Sequence, residues 1–404
     1  MTSLERHEAR YQRRKAKRLE KRRRYAQKYD DFERLSSVSA LIGANWASRK
    51  GVMWKASVAR YNVKYFKNSR KSCRNLRKGK DTRQGFYNFQ IVERGKPRDV
   101  HSLHYTERVI RRSVCTNAMV PILSHDLIYD NGASLKGKGV SFHIRECEKH
   151  LHEYWREEHS NAGYVLIIDF RKFFDNIEHS HVYNIYDTHF LDKKLNAICR
   201  SFVEATGTKG LYIGPEDSQI TAVSFPSHID HLIKDAWKIR YYSRYMDDSY
   251  IIMRDKERLI EVKNMLLEEF AKVGIIPNPK KTQIIKLSRG FTFLKTQFIL
   301  TDTGRIVEKP CHASIVRERR KLKSFKRFSD GGLMTVEQGN CSYMSWRGSV
   351  KGKNSYRSIH EMDKLYFELF HQKPWIKKKR KRKGIIRYDS TGNHRGNRGL
   401  QAAA

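Results

Sequence analysis

The sequence has no run of eighteen or more apolar residues, so no segment reads as a membrane-spanning helix. Its N-terminal stretch, charged from Glu5 onward, lacks the apolar centre of a signal peptide. A cytoplasmic protein with no membrane partner is therefore expected. None of the six cysteines, Cys73, Cys115, Cys147, Cys199, Cys311 and Cys341, falls in a Cys-x-x-Cys pair. That excludes a readable zinc finger and leaves reduced, packing thiols as the expectation. No internal repeat is present. Acid is scarce: 43 Asp and Glu stand against 82 Lys and Arg, a formal net charge of +39. A surface this basic calls for a polyanionic partner. Aromatics reach 11 %, enough for a core and for base stacking, so the chain is not a disordered basic tail. Its 404 residues allow two or three structural units.

Residues 1–85 read as a basic helical extension that binds RNA. Its first 35 residues contain good helix formers, no Pro or Gly, and the basic clusters Arg13-Arg14, Arg22, Arg23 and Arg24. A basic helix folding on nucleic acid and a solvated, frayed arm are both compatible with that pattern. Residues 36–85 stay basic and add Trp46, Trp54, Tyr61, Tyr65 and Phe66.

From Gly85 the chain turns globular. Phe86 to Val92 reads as a strand with a hairpin turn at Glu93-Arg94-Gly95-Lys96, and His104 to Leu123 as helix. Asp130-Asn131-Gly132 is a turn. Ser141 to Arg156 is helical, Tyr164 to Asp169 a short apolar strand, and Leu195 to Val203 helical. Ser218 to Trp237 is a helix broken near Pro226. Lys256 to Val273 is an amphipathic helix closed by Gly274. Phe291 to Leu300 reads as one further strand. Helices over 312–345 and 355–370 carry basic residues including Arg319 and Arg320. The run Lys377 to Lys383 is a basic tail, a plain charged terminus or a localisation signal.

Two places carry chemistry. In Arg244 to Met253 the adjacent acids Asp247 and Asp248 interrupt an apolar run. Side-by-side carboxylates repel, and one takes up a proton unless a cation holds both ionised. A solvated hairpin tip is one reading and a metal-binding turn between two strands is the other. Asp169 ends an apolar strand about 80 residues earlier. Nucleotidyl transfer on two cations about 3.5–4 Å apart needs such a third carboxylate, and hard oxygen donors suit Mg²⁺, with Mn²⁺ as a substitute.

Taken together, these residues resemble the reverse transcriptases of bacteria and phages over about residues 86–350. The resemblance rests on Asp169 with Phe173-Phe174, on Ile213-Gly214-Pro215-Glu216-Asp217-Ser218-Gln219, and on Asp230-His231. Tyr245-Met246-Asp247-Asp248, Asn278-Pro279-Lys280-Lys281-Thr282 and Phe291-Thr292-Phe293-Leu294 complete it. Gln219 is similar to the diversity-generating-retroelement and defence-associated group. Three positions depart from that pattern: Leu135 where an Arg is expected, Val223 for Asn and Lys295 for Gly.

The resemblance implies an α+β right-hand polymerase. Fingers and an antiparallel palm would span 86–300, a helical basic thumb 301–370 and a flexible tail 371–404. It implies two metal ions held by Asp169, Asp247, Asp248 and the Phe170 carbonyl, with Lys281 as general acid or else a lysine solvated beside a turn. Arg98, Lys136, Lys138, Phe174, Gly214 and Gln219 would meet the dNTP. Phe174 would be the steric gate against a 2′-hydroxyl, or else a core aromatic. Phe293 and Leu294 would grip the primer. The expected activity is RNA-directed DNA synthesis of cDNA from a dedicated noncoding RNA. Antiphage defence, diversity-generating retrohoming and an inactive RNA-binding scaffold are its readings in that order, with an accessory protein or a second copy as further partners.

Overall fold

The computed structural model describes residues 2–93 and 96–376, without the side chains of Ser3, Leu4, His7, Glu93, Lys96 and Arg98. The turn residues Arg94 and Gly95, and the basic run from Lys377, lie outside the described residues. Two compact units divide the chain, residues 1–309 and the part from Pro310 onward.

The first unit opens with helices α1 (Ser3–Ala26), α2 (Phe32–Leu35), α3 (Val38–Ser48), α4 (Ala56–Val63) and α5 (Tyr65–Arg77). Thr2 and Glu5 form a reciprocal capping box that fixes the start of α1. The extension is built into the body rather than appended to it. The Ser113 hydroxyl donates to the Leu35 carbonyl at 2.7 Å, and the Tyr105 hydroxyl to Asn45 Oδ1 at 2.8 Å. Leu35, Leu41 and Ala44 are buried there. Strands β1 (Phe86–Glu93) and β2 (Lys96–Leu103) pair antiparallel as expected. Then come α6 (Tyr105–Val114), a π-turn at Cys115–Met119, α7 (Val120–Ser124) and α8 (Val140–Glu158).

The central sheet has the order β4 (Tyr242–Tyr245), β5 (Asp248–Met253), β3 (Tyr164–Asp169), β6 (Gln283–Lys286). Between β3 and β4 lie α9 (Phe173–Asn176), α10 (His179–His189), α11 (Lys193–Glu204), α12 (Glu216–Ser224), α13 (Ser227–His231) and a second π-turn at Leu232–Ala236. Pro226 interrupts α12 and α13 where the sequence predicted a break, because proline cannot donate into a continuing helix. Helix α14 (Lys256–Lys272) follows β5, and Gly274 closes it at φ 71°.

Both faces of this sheet are covered, which is why β3 and β5 read as apolar runs without polar alternation. Leu166, Ile168 and Ile251 face α14 through Leu259, Val262, Leu266 and Phe270. Val165, Tyr250 and Ile252 face the other way, against Cys147, Leu151 and Tyr154 of α8. Polar groups on these strands are tolerated where the sheet ends, and there the acids stand.

The single strand expected over Phe291–Leu300 is instead a hairpin. Strand β7 (Phe291–Phe293) turns through Leu294 and Lys295 into β8 (Thr296–Leu300), with β9 (Ile306–Pro310) beside it. Leu294 and Lys295 both adopt left-handed backbone, φ 46° and 62°. A two-residue turn of this kind favours glycine, for which Lys295 stands. Replacing Lys295 with glycine is expected to raise unfolding stability by up to about 1 kcal/mol, read as a higher urea midpoint at unchanged slope.

The second unit contains α15 (His312–Asp330), α16 (Val336–Val350) and α17 (Tyr356–Phe370). Leu322, Tyr343, Trp346, Val350, Met362 and Tyr366 form its core. The Tyr343 hydroxyl donates to Asp363 at 2.6 Å, and Arg347 pairs with the same carboxylate at 3.0 Å. Arg319 and Arg320 are exposed on α15. The architecture is α+β, as expected, with antiparallel sheets among helices.

Candidate active site

Asp169 is the last residue of β3 and Asp248 the first of β5, and the antiparallel register sets them directly opposite. Tyr245 pairs with Asp248 across the β4–β5 hairpin, so Met246 and Asp247 form its two-residue tip. The fold thus gathers three carboxylates at one end of a buried sheet.

The Asn278–Thr282 loop folds onto the first of them. The Asn278 amide donates to the Asp169 carbonyl at 2.7 Å, its side chain donates to Asp169 Oδ1 at 3.1 Å, and Lys281 Nζ reaches Oδ2 at 2.6 Å. Burial opposes the charge of Lys281, but the bond to Asp169 and the three acids hold its pKa above the usual value. Asp248 is pushed up to about 7 by burial, then by Asp247 and Asp169. Three oxygen donors with too little positive charge to ionise together fit divalent cations of the hard, oxygen-seeking class.

Phe170 leaves the sheet by bridging Pro277, and its ring packs 5.0 Å from that of Phe270. Phe174 is half-buried beside Phe173, and its carbonyl accepts from the Leu211 amide at 2.8 Å. That bond ties the Phe174 segment to the stretch leading into Gly214.

A cleft of about 620 Å³ is lined by Lys136, Gly214 and Gln219, together with His101 and Lys50. Gly214 has φ 130°, a conformation that side chains rarely adopt, so the sequence places glycine where the backbone requires it. Helix α12, which carries Gln219, is held at its start by buried Arg111. That guanidinium contacts Asp217 at 2.7 Å and Glu107 at 2.8 Å.

Two of the expected contact residues are held by the protein itself. Lys138 donates to the carbonyls of Tyr129 at 2.6 Å and Asn131 at 3.0 Å within its own loop. Arg22 is half-buried and paired with Asp126, with its Nη2 3.1 Å from His231 Nε2. It docks α1 on the body, as does Arg18 through Asp235 at 2.7 Å. Arg13, Arg14, Arg23 and Arg24 remain exposed. The Arg98 side chain lies outside the described residues; its backbone sits in β2 opposite Ile91. Phe293 is buried with its ring 4.9 Å from Tyr250 on β5, and Leu294 occupies the β7–β8 turn.

Sequence reasoning missed how the hairpin is held. Met246 has φ 59°, a strained conformation for a non-glycine residue. Arg244 Nη1 donates to its carbonyl at 3.0 Å, while Nη2 donates to the Val223 carbonyl of α12 at 2.8 Å and to Asp230 at 2.7 Å. Arg244 and Asp230 are essentially inaccessible to solvent. Tyr242 and Asn131 also donate to Asp230, at 2.6 and 3.2 Å. One buried ion pair therefore links the acidic tip to the helix carrying Gln219. The available signal was Arg244 itself, a charge in an apolar strand that had to find a buried acid.

Behind the hairpin lies a second ionic cluster. Among the described residues, Asp130, Glu146 and His150 are the acid and imidazole trio whose oxygen and nitrogen atoms lie within 4.8 Å of one another. Lys234 Nζ, 2.7 Å from Asp130, supplies the positive charge there. His143 and His150, bonded to Ser243 and Tyr250 at 2.9 Å each, are held down to about 4 by burial. Their folded pKa values lie below the unfolded value near 6.5. The stability they contribute is therefore present above pH 6.5 and is lost as pH falls towards 4. Each is expected to account for up to about 3 kcal/mol of acid destabilisation. Urea midpoints at pH 7.5 and 4.5 should show it, and His143→Gln or His150→Gln should flatten the difference.

Residues 122–298, which contain all three acids and Lys281, match the family model described as "Reverse transcriptase (RNA-dependent DNA polymerase)". Comparison with curated proteins gives no match. Among solved structures, telomerase from Candida albicans in complex with a TWJ fragment of telomeric RNA aligns at 13 % identity and TM-score 0.45. That alignment covers 72 % of this chain and 60 % of the other. Apo telomerase from Candida tropicalis, truncated from its C-terminal domain, aligns at 14 % identity and TM-score 0.44 over 55 % of each chain. The chain thus spans between 55 and 60 % of the length of these structures.

Proposed function

Starting from a reverse transcriptase domain, the catalytic unit of an RNA-directed DNA polymerase, we propose that this chain copies a dedicated structured RNA into cDNA in bacterial antiphage defence. The observation that carries the catalytic part is the pairing of Asp169 with Asp248 across β3 and β5, with Lys281 bonded to Asp169.

Asp169, Asp247, Asp248 and the Phe170 carbonyl would hold two Mg²⁺ ions. Bound there, the ions would supply charge neutralisation for the attacking 3′-hydroxyl and the leaving pyrophosphate. Lys281 keeps its proton and is placed at the acids, where it can donate to the departing phosphate oxygen. Gly214 lets the backbone approach the incoming base pair, Gln219 borders it from α12, and Lys136 offers the dNTP phosphates a cation. Phe174, tied to the stretch leading into Gly214, stands as the gate that selects deoxyribose. The hairpin of Phe293 and Leu294 would seat the primer end. Exposed Arg13, Arg14, Arg23, Arg24, Arg319 and Arg320 contribute phosphate contacts to RNA.

Diversity-generating retrohoming uses the same chemistry, and the Ser218-Gln219 pattern fits both readings. Sequencing the RNA that copurifies with the enzyme, and the cDNA made from it, separates the two. One discrete noncoding RNA copied at a fixed start supports defence, and a template repeat whose cDNA matches a variable repeat overturns it.

A further inference from the structure

Residues 34–80 contain thirteen Lys or Arg and no Asp or Glu. The same stretch exposes large aromatic rings among those cations. Trp54 is 80 % exposed, Phe66 54 % and Trp46 41 %. Each tryptophan is accompanied by a cation. The Arg49 guanidinium lies 3.6 Å from the Trp46 ring centre and Lys55 Nζ 5.4 Å from that of Trp54. Trp46 also touches Tyr65, ring centres 5.7 Å apart. This surface runs into the cleft described above: Ala47, Ser48, Lys50 and Lys55, the immediate neighbours of these tryptophans, line the same cavity as Gly214 and Gln219.

We infer that the α3–α4 surface carries the unpaired template strand into the cleft, its bases stacking on Trp54 and on the Arg49–Trp46 platform. The inference rests on the polymerase reading and specifies how that site receives its template. A flat ring beside a cation suits single-stranded nucleic acid, whose bases are free to stack while its phosphates meet the lysines. A paired duplex keeps its bases stacked on one another and offers the rings nothing. A basic surface with exposed tryptophan would also suit an anionic bilayer, but a bilayer leaves the continuity with the Gly214–Gln219 cleft without a use.

The test uses the full chain and three probes: a fluorescent single-stranded oligouridylate, an RNA duplex of equal phosphate number, and vesicles containing phosphatidylserine. Trp54→Ala and Trp46→Ala are each expected to weaken single-strand binding roughly 5- to 100-fold while duplex binding stays within about twofold. Trp54→Phe should recover most of the loss. Primer extension should fall at low template concentration and recover at saturating template. Unchanged single-strand affinity in a protein that still extends primers overturns the inference and leaves the polymerase reading intact. Equal losses on duplex and single strand overturn it as well. So does loss of vesicle binding with RNA binding retained. Failure of the parent protein to extend any primer instead overturns the reading beneath it.

Discussion

The Asp247→Ala/Asp248→Ala double variant is expected to incorporate labelled dNTP at least about a thousandfold more slowly than the parent, with folding and RNA retention unchanged. Removing two of the three carboxylates proposed to hold the ions would abolish metal-dependent transition-state stabilisation, and a thousandfold corresponds to about 4 kcal/mol. The fold should not suffer, because the substitutions relieve a concentration of like charge: Asp248 is held up to about 7 by burial and by its two acidic neighbours. The two acids lie at the hairpin tip and the first position of β5, outside the apolar faces that hold the sheet together. Primer extension with Mg²⁺, a urea melt and recovery of copurified RNA measure the three quantities separately. Incorporation that survives would falsify the mechanism.

The second large effect concerns the ion pair beneath the hairpin. Asp230→Ala is expected to cost about 3–5 kcal/mol of stability, since it strands the Arg244 guanidinium in the interior without its charge partner. Substituting both partners by apolar residues, Asp230→Leu with Arg244→Met, should recover much of that loss, because neither charge then remains unpaired. Activity should not recover with it. The double variant still lacks the donors that hold the Met246 carbonyl and the Val223 carbonyl, so the acidic tip is no longer tied to the helix bearing Gln219. A double-mutant cycle read once by denaturation and once by kcat distinguishes the two outcomes. Recovery of kcat in parallel with stability would show that the pair only supports the fold.

Much of the site was legible because it lies at strand ends. Asp169 could be placed from the apolar run before it, and Asp247-Asp248 from the break they make in the next. Pro226 and Gly274 marked helix limits for reasons written in their own backbones. Other features depended on contacts that sequence spacing does not carry. Lys138 and Arg22 are cations like their neighbours, and only the tertiary structure shows one bonded to its own loop and the other docked on Asp126. The β7–β8 turn was missed because Leu294 and Lys295 are not turn formers, so nothing local announced the left-handed backbone there. Strand β6 went unread because it is short, and helix α10 because its apolar residues are weakly patterned.

Helix α1 is fastened at Arg18 and Arg22, while residues 12–17 stay open to solvent. The two kinds of cation on one rod should therefore answer differently to ionic strength. The open residues act at a distance, and raising salt from 0.1 to 1 M shortens the Debye length from about 10 to about 3 Å. The half-buried contacts of Arg22 are direct and partly shielded from the electrolyte. A concentrated salt wash should strip the RNA proposed to bind those open residues without lifting the rod from the body, so that the protein emerges bare and still ready to rebind on dilution.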